Sequence, residues 1–165
     1  MKIVNRKIGE KYSVFVIAEA GINHNGSFLI AKKLVNMAKK AGADCIKFQT
    51  HIVEKEMTKT KILPGKISKT PLWDIIKNCE LTANEEEKLS KYCKKKKILF
   101  LSTPFSISAI DRLEKIKMPA YKIGSGELTN IPFLKHIAKK KKPVILSTGM
   151  SNMEEIKFAV ELFKK

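Results

Sequence analysis

Short apolar runs alternate with amphipathic helical patterns along the chain, the signature of repeated β-α units on a parallel sheet. Residues 13–18 form the first run. Ser27 stands where a helix cap is needed, ahead of one apolar stripe made by Phe28, Ala31, Leu34, Val35 and Ala38, and Gly42 stops that helix. Residues 43–48 read as the second strand. A longer excursion over 50–80 follows, with Pro71 near the start of a short helix that holds Trp73. It is long for a β-α connection, and its length predicts that it covers a site. Thr82 and Glu85 make a capping box for a helix running toward Lys94, which feeds a third strand at 98–102. Ser106 or Ser108 starts the next helix, Pro119 breaks the pattern, and 120–123 is a short fourth strand. Asn130 caps a helix over 131–139, and a fifth strand spans 144–146. Ser151 with Glu154 then forms a capping box for a helix still running at Lys165.

Five β-α units follow from this reading. A doubly wound sheet of five strands is complete at such a length, and periodicity alone favours it. A closed (β/α)8 TIM barrel needs eight strands and about 250 residues, so on that architecture the chain holds the first five units and three are missing. Within residues 1–165 no low-complexity linker, short-period repeat or shift in composition marks a second domain. The choice between the two α/β architectures falls to the residues at the strand ends.

With 165 residues and 44% hydrophobic content, the chain has apolar material for one ordinary core. No apolar run approaches the roughly 20 residues that span a bilayer, and the charged start at residues 1–10 has no apolar signal core. A soluble, unexported protein with no membrane partner is expected. Cys45, Cys79 and Cys93 are odd in number and lack metal-ligand spacing, which fits reduced thiols in a cytoplasm. The formal charge of +17 raises the question of nucleic acid. The lysines are spread, Arg6 and Arg112 are the only arginines, and no basic run is interleaved with stacking aromatics. The dense runs at 94–97 and 139–142 sit where cations complement helix C-termini. A solvated basic face is expected, not a nucleic-acid partner, and its field would gather a small polyanion.

The strand ends carry the chemistry. The first leads into Ala18-Glu19-Ala20-Gly21-Ile22-Asn23-His24-Asn25-Gly26, with Glu19 directly beyond the apolar run; a site carboxylate and a loop salt bridge are equally open readings. The second ends Lys47-Phe48-Gln49-Thr50-His51, where alternation sends Lys47 and Gln49 to one face. A lysine aimed into a barrel is costly unless it meets an anion. The third ends Leu101-Ser102-Thr103-Pro104-Phe105. The fourth carries Tyr121-Lys122-Ile123-Gly124-Ser125-Gly126-Glu127, with two glycines that would let backbone amides approach a phosphate. It is not a dinucleotide fingerprint, since the third glycine is lacking. The fifth ends Leu146-Ser147-Thr148-Gly149-Met150. Each segment is weak alone. Five in succession match the rule that places barrel active sites at strand C-termini.

In AEAGINHNG, KFQTHIVEKEM, FLSTPFS, PAYKIGSGE and KPVILSTGM, taken in that order, the chain resembles the sialic-acid synthases, or N-acetylneuraminate synthases, with their legionaminate and pseudaminate relatives. The resemblance implies a TIM barrel that condenses phosphoenolpyruvate with N-acetylmannosamine to give N-acetylneuraminate and phosphate. It implies Lys47, Thr103, Lys122, Ser125 and Ser147 around phosphoenolpyruvate, Gln49 on the sugar, and Glu19 and Glu127 as catalytic carboxylates. Glu127 is the preferred acid/base, to be tuned by Ser125 and Lys122 beside it. A divalent metal, Mn²⁺ or Mg²⁺, is also implied, held in the family by histidines of later strands, so no ligand is assigned in this chain. His24, His51 and His136 are read as packed or solvated. The resemblance further implies a homodimer, and makes residues 1–165 the N-terminal portion of the barrel, without its remaining units or the C-terminal antifreeze-like domain. A legionaminate or related nonulosonate synthase, or a non-catalytic half of a split enzyme, are the alternatives. The excursion over 50–80 and the GSGE segment favour the N-acetylneuraminate branch.

Overall fold

The computed structural model describes residues 1–65 and 68–164. A small antiparallel hairpin of β1 (Lys2–Ile3) and β2 (Arg6–Lys7) comes first. Five parallel strands then alternate with helices: β3 (Ile17–Gly21), β4 (Cys45–Thr50), β5 (Leu99–Pro104), β6 (Tyr121–Ile123) and β7 (Val144–Leu146). Between them run α1 (Phe28–Lys40), α2 (Leu72–Asn78), α3 (Ala83–Lys95), α4 (Ile107–Lys115) and α5 (Ile131–Ala138), and α6 (Met153–Lys164) follows β7. No helix among the described residues is long and apolar enough to cross a membrane. Lys165, where the last helix was expected to be still running, lies outside the described residues, as do 66–67 of the long excursion.

Strands β3, β4 and β5 form one hydrogen-bonded group and β6 with β7 another, with β5 packed beside β6. The spatial order therefore follows the sequence. A doubly wound sheet reverses its order at a switch point, and no reversal occurs here. Sequential parallel order is the arrangement of a (β/α) barrel wall, although no closed barrel is seen among the described residues.

The local signals act as the side chains dictate. Ser27, Thr82, Ser106 and Asn130 cap α1, α3, α4 and α5 through their side-chain oxygens, and Thr82 with Glu85 closes a full capping box. Gly26 sits at φ 74, and a Cβ there would collide with the Asn78 carbonyl, so that turn requires glycine. At α6 the expected box of Ser151 and Glu154 is shifted by one residue. Asn152 accepts from the Glu154 and Glu155 amides, and the Glu155 carboxylate accepts from the Asn152 amide. The Asn152 oxygen stands one bond farther from the backbone than a serine hydroxyl and reaches both amides, so the cap falls there.

Strands β3, β4 and β5 both begin and end later than the apolar runs indicate. Val14 and Val16 are exposed, and β3 starts only at Ile17, where pairing with Cys45 begins. Asp44 Oδ2 accepts from the Val16 amide at 2.8 Å and fixes that register. The consequence matters: Glu19 lies inside β3 opposite Lys47, not beyond the strand, and Gln49 and Thr103 are opposed strand residues.

Period-two alternation now sorts the sheet. Ile46, Phe48, Thr50, Phe100 and Ser102 share one face, covered by α1 and α3, where Phe48 stacks on Phe100 and Ala31, Val35, Leu89 and Cys93 complete the core. Each large apolar side chain buried there contributes roughly 1.5–3 kcal/mol. Glu19, Lys47, Gln49, Leu101 and Thr103 share the opposite face.

Cys45, Cys79 and Cys93 are all buried as free thiols. Burial, with Cys93 close by, pushes the Cys45 thiol up to about 12, and burial does the same for Cys93. Since the thiolate is the nucleophile, Cys45 and Cys93 are expected to resist iodoacetamide at pH 8 in the folded protein and to react in urea. Mass spectrometry of alkylated peptides checks this; rapid native labelling of either thiol would contradict the packing.

Candidate active site

Lys47 is nearly buried, yet it carries a charge into the face that holds no helix. Its ammonium donates to Glu19 Oε2 at 2.7 Å, across the β3–β4 pair, and to Thr103 Oγ1 at 3.3 Å, across the β4–β5 pair. The Glu19 side chain is 62% exposed against 6% for Lys47, so the lysine is the sheltered partner and the carboxylate can turn away. Lys122 projects from β6 and donates to Ser147 Oγ at 2.6 Å, at the end of β7, and to its neighbour's carbonyl at Ile123. Burial lowers the Lys122 pKa, the Lys47 charge lowers it further, and Glu19 opposes both. These three groups therefore feel one another across the face. Two ammonium groups with two hydroxyls, converging from four strands, form a cradle for a small multiply charged anion.

Not every expected residue joins that cradle. Glu127 lies in a short turn of 3₁₀ helix, Ser125–Glu127, where its carboxylate accepts from the Asn130 amide at 2.8 Å. It lines a groove of about 260 Å³ with Lys55, Phe105 and Ser106. The Lys122 ammonium donates to Ser147 and Ile123 rather than to Glu127. Ser125 shares the turn with Glu127. A Cβ at Gly126 would meet nothing within 4 Å, so space beside the turn is open.

Gln49 points from β4 toward a cluster that the sequence did not single out. His51 Nε2 lies 3.1 Å from Gln49 Oε1, and Nδ1 lies 2.8 and 3.1 Å from the two Glu56 oxygens. The ring stacks on Phe105, with centroids 4.4 Å apart. His51 and Glu56 are both buried. The signal was a histidine and a glutamate five positions apart across the 3₁₀ turn Val53–Lys55, a spacing with no helical or strand meaning.

Of the remaining histidines, one is packed and one lies at the surface. His24 is fully buried, its Nδ1 accepts from the Gly26 amide, and burial holds its pKa low, with His51 adding to this and Glu85 opposing. His136 pairs with Asp111. Among the described residues no three His, Cys, Asp or Glu side chains converge as a metal donor set. The described part of the long excursion is tied down by Lys77, which bridges Glu54 and Glu80. A second groove, of about 710 Å³, opens at the opposite, N-terminal end of β5, between Lys94, Lys97 and Lys117 over an Ile98 and Phe100 floor. It is remote from the strand C-termini and belongs to the solvated basic surface.

The NeuB family model matches residues 34–165. The chain belongs to the NeuB family. Across 99% of its length it is 43% identical to an uncharacterised protein of Methanocaldococcus jannaschii, of which that stretch is 46%. It is 41% identical to the N,N'-diacetyllegionaminic acid synthase of Campylobacter jejuni over 91% of this chain and 46% of that one. The crystal structure of an N-acetylneuraminic acid (sialic acid) synthetase from Leptospira borgpetersenii, in complex with citrate, superposes with a TM-score of 0.90 and 34% identity. That likeness covers 99% of this NeuB-family chain and 54% of the Leptospira chain. The chain thus spans about half the length of the curated relatives it matches. The named relatives in that family are synthases of legionaminic and sialic acid.

Proposed function

We propose that the chain is the first five units of a (β/α)8 barrel that condenses phosphoenolpyruvate with an N-acylated amino sugar, releasing phosphate and a nine-carbon 2-keto acid. The observation that carries this is the paired ammonium cradle of Lys47 and Lys122 on one sheet face, with Thr103 and Ser147 already bonded to them. A dianionic phosphate and a carboxylate on one small substrate match one buried and one half-buried cation and a set of hydroxyls. Thr103, Ser125 and Ser147 donate to the anion, Gln49 holds the sugar, and Glu19 and Glu127 handle protons.

In the reaction, the C2=C3 electron pair of phosphoenolpyruvate forms a bond from C3 to the aldehyde carbon, the C=O π pair moves to the aldehyde oxygen, which takes up a proton to become a hydroxyl, and C2 is left cationic. Water adds at C2, losing one proton to a carboxylate such as Glu127. Collapse of the tetrahedral species breaks the C2–O bond and expels phosphate onto Lys47 and Lys122, whose fixed charge stabilises the departing dianion. Glu19 lies beside the transient cation, where a carboxylate is favourable. The described residues do not fit a divalent metal, so the Mn²⁺ or Mg²⁺ expected from the resemblance would be held by other residues of a homodimeric whole protein.

N-acetylmannosamine is the sugar in the first reading. A diacetamido sugar, leading to a diacetyllegionaminic acid, is the second, favoured by the identity to the Campylobacter synthase. Offering each sugar to the complete protein with phosphoenolpyruvate and Mn²⁺, and weighing the product by mass spectrometry, decides between them. Absence of any condensation product with either sugar would overturn the proposal.

The lowered Lys122 pKa gives a pH dependence of known sign. Between that lowered value and the ordinary lysine value, the unfolded chain keeps a proton that the free folded chain has lost, so Lys122 makes stability rise with pH across that window. Anion binding needs the proton and goes the other way. Inorganic phosphate affinity, measured by calorimetry, is expected to weaken as pH rises through the lowered value, and Lys122→Met is expected to remove that limb. An unchanged limb in the variant would contradict the assignment.

A further inference from the structure

We infer that His51 is a positioning residue for the second substrate: it takes its orientation from Glu56 and Phe105 and passes it to Gln49. The inference rests on the proposed role of Gln49 on the sugar. Gln49 ends a run of side chains on the active face, yet its amide has three rotatable bonds and would by itself sample several poses. One end of its amide is instead anchored. Gln49 Oε1 lies 3.1 Å from His51 Nε2, and the amide nitrogen, which has no hydrogen-bond partner among the described residues, lies beside Gly21, where a Cβ would stand 3.9 Å from it.

The imidazole itself has little freedom. Both ring nitrogens face oxygens that accept, Nδ1 the two of Glu56 at 2.8 and 3.1 Å and Nε2 that of Gln49, so the two contacts are made together with a proton on each nitrogen, and the ring lies 15° from parallel to Phe105. Both polar partners are about 95% buried, their side chains being 5% exposed, so water does not compete for these bonds. A carboxylate that orients an imidazole, which in turn orients a working side chain, is the same arrangement that fixes ligand and base geometry in many sites. Here the working group is a neutral amide, so its output is pose and not proton transfer. His51 and Glu56 lie off the lysine cradle, whose contacts are Glu19, Thr103 and Ser147. Their removal should therefore be felt by the sugar and not by phosphoenolpyruvate.

Two amide replacements separate positioning from bulk packing. The nitrogen of His51→Gln falls near the Nε2 position and can still donate to Gln49 Oε1. The nitrogen of His51→Asn falls near Nδ1 and can satisfy Glu56, but it leaves Gln49 without its partner. Both remove the ring from Phe105. In the complete protein, His51→Asn is expected to raise the sugar KM about 10-fold and His51→Gln no more than about threefold, each leaving the phosphoenolpyruvate KM within about twofold. In a Gln49→Ala background His51→Asn should add no further effect on the sugar KM, because the group it positions is gone. Equal effects of the two replacements, a matching rise in the phosphoenolpyruvate KM, or full additivity with Gln49→Ala would overturn the inference. If neither His51 variant folds, Glu56→Gln, which keeps an acceptor for Nδ1–H, against Glu56→Leu, which does not, gives the same contrast. An inactive wild type with every acylamino sugar would instead sink the proposed function.

Discussion

Lys47→Met is expected to lower kcat/KM for phosphoenolpyruvate in the complete protein by about 10³-fold, the scale of losing a sheltered charge aimed at developing negative charge. Methionine keeps the length and apolar stem, so the core beneath is spared, while the ammonium that joins Glu19 and Thr103 disappears. Lys47→Arg should not restore activity, since a planar fork does not fit where a compact ammonium is wedged between two strands. Steady-state rates with phosphoenolpyruvate varied check both variants. A loss below about fivefold for Lys47→Met would mean that the anion sits elsewhere.

The largest stability effect is expected on the other face of the sheet. Glu86 of α3 is buried over the ends of β4 and β5, where Thr50 Oγ1 donates to it at 2.6 Å and Arg112 reaches its second oxygen at 3.4 Å. The single Thr50 hydroxyl hydrogen goes to Glu86, so Ser102, 2.8 Å away, donates to Thr50. Glu86→Ala takes the acceptor from the buried Thr50 hydroxyl and from Arg112 and is expected to cost about 3 kcal/mol in urea unfolding. Glu86→Gln keeps the Thr50 bond and should cost about 1 kcal/mol or less, since burial disfavours the charged form. Burial raises the Glu86 pKa, against the pull of Thr50 and Arg112. Between the ordinary carboxylate value and the raised one, the folded chain holds a proton that the unfolded chain has lost. Glu86 therefore makes stability fall as pH rises through that window. An Ala variant within about 1 kcal/mol of wild type would contradict the network.

How far the sequence reveals this molecule depends on the range of each interaction. Caps, helix stops and strand polarity are local, so Ser27, Thr82 and Asn130 are legible at a glance. The convergence of Lys47, Thr103, Lys122 and Ser147 is legible because strand C-termini must gather at one end of a parallel sheet. Strand limits are less so. They are set by the partner strand, as where Asp44 and the Cys45 pairing move β3 downstream and bring Glu19 opposite Lys47. Glu86 sits in a run of three glutamates that reads as the acidic first turn of a helix, and only the packing of α3 reveals which one is buried. Glu127 was placed by its neighbours in sequence, but the 3₁₀ turn sends its carboxylate to Asn130 and the groove by Phe105. The His51–Glu56 pair crosses an irregular turn, where no periodicity tells which side chains meet. The β1–β2 hairpin, two short charged strands, carries no apolar signal at all beyond Ile3.

The central claim is that Lys47 and Lys122 hold phosphoenolpyruvate while C3 adds to an acylamino sugar and phosphate departs with its bridging oxygen. It is tested most directly by supplying the complete protein with phosphoenolpyruvate carrying ¹⁸O in the bridging position, together with the acylamino sugars and Mn²⁺. The expected result is one labelled phosphate per nine-carbon keto acid formed, with the product ketone unlabelled. No phosphate release with any acylamino sugar, or release of unlabelled phosphate with the label kept in the product, would contradict it.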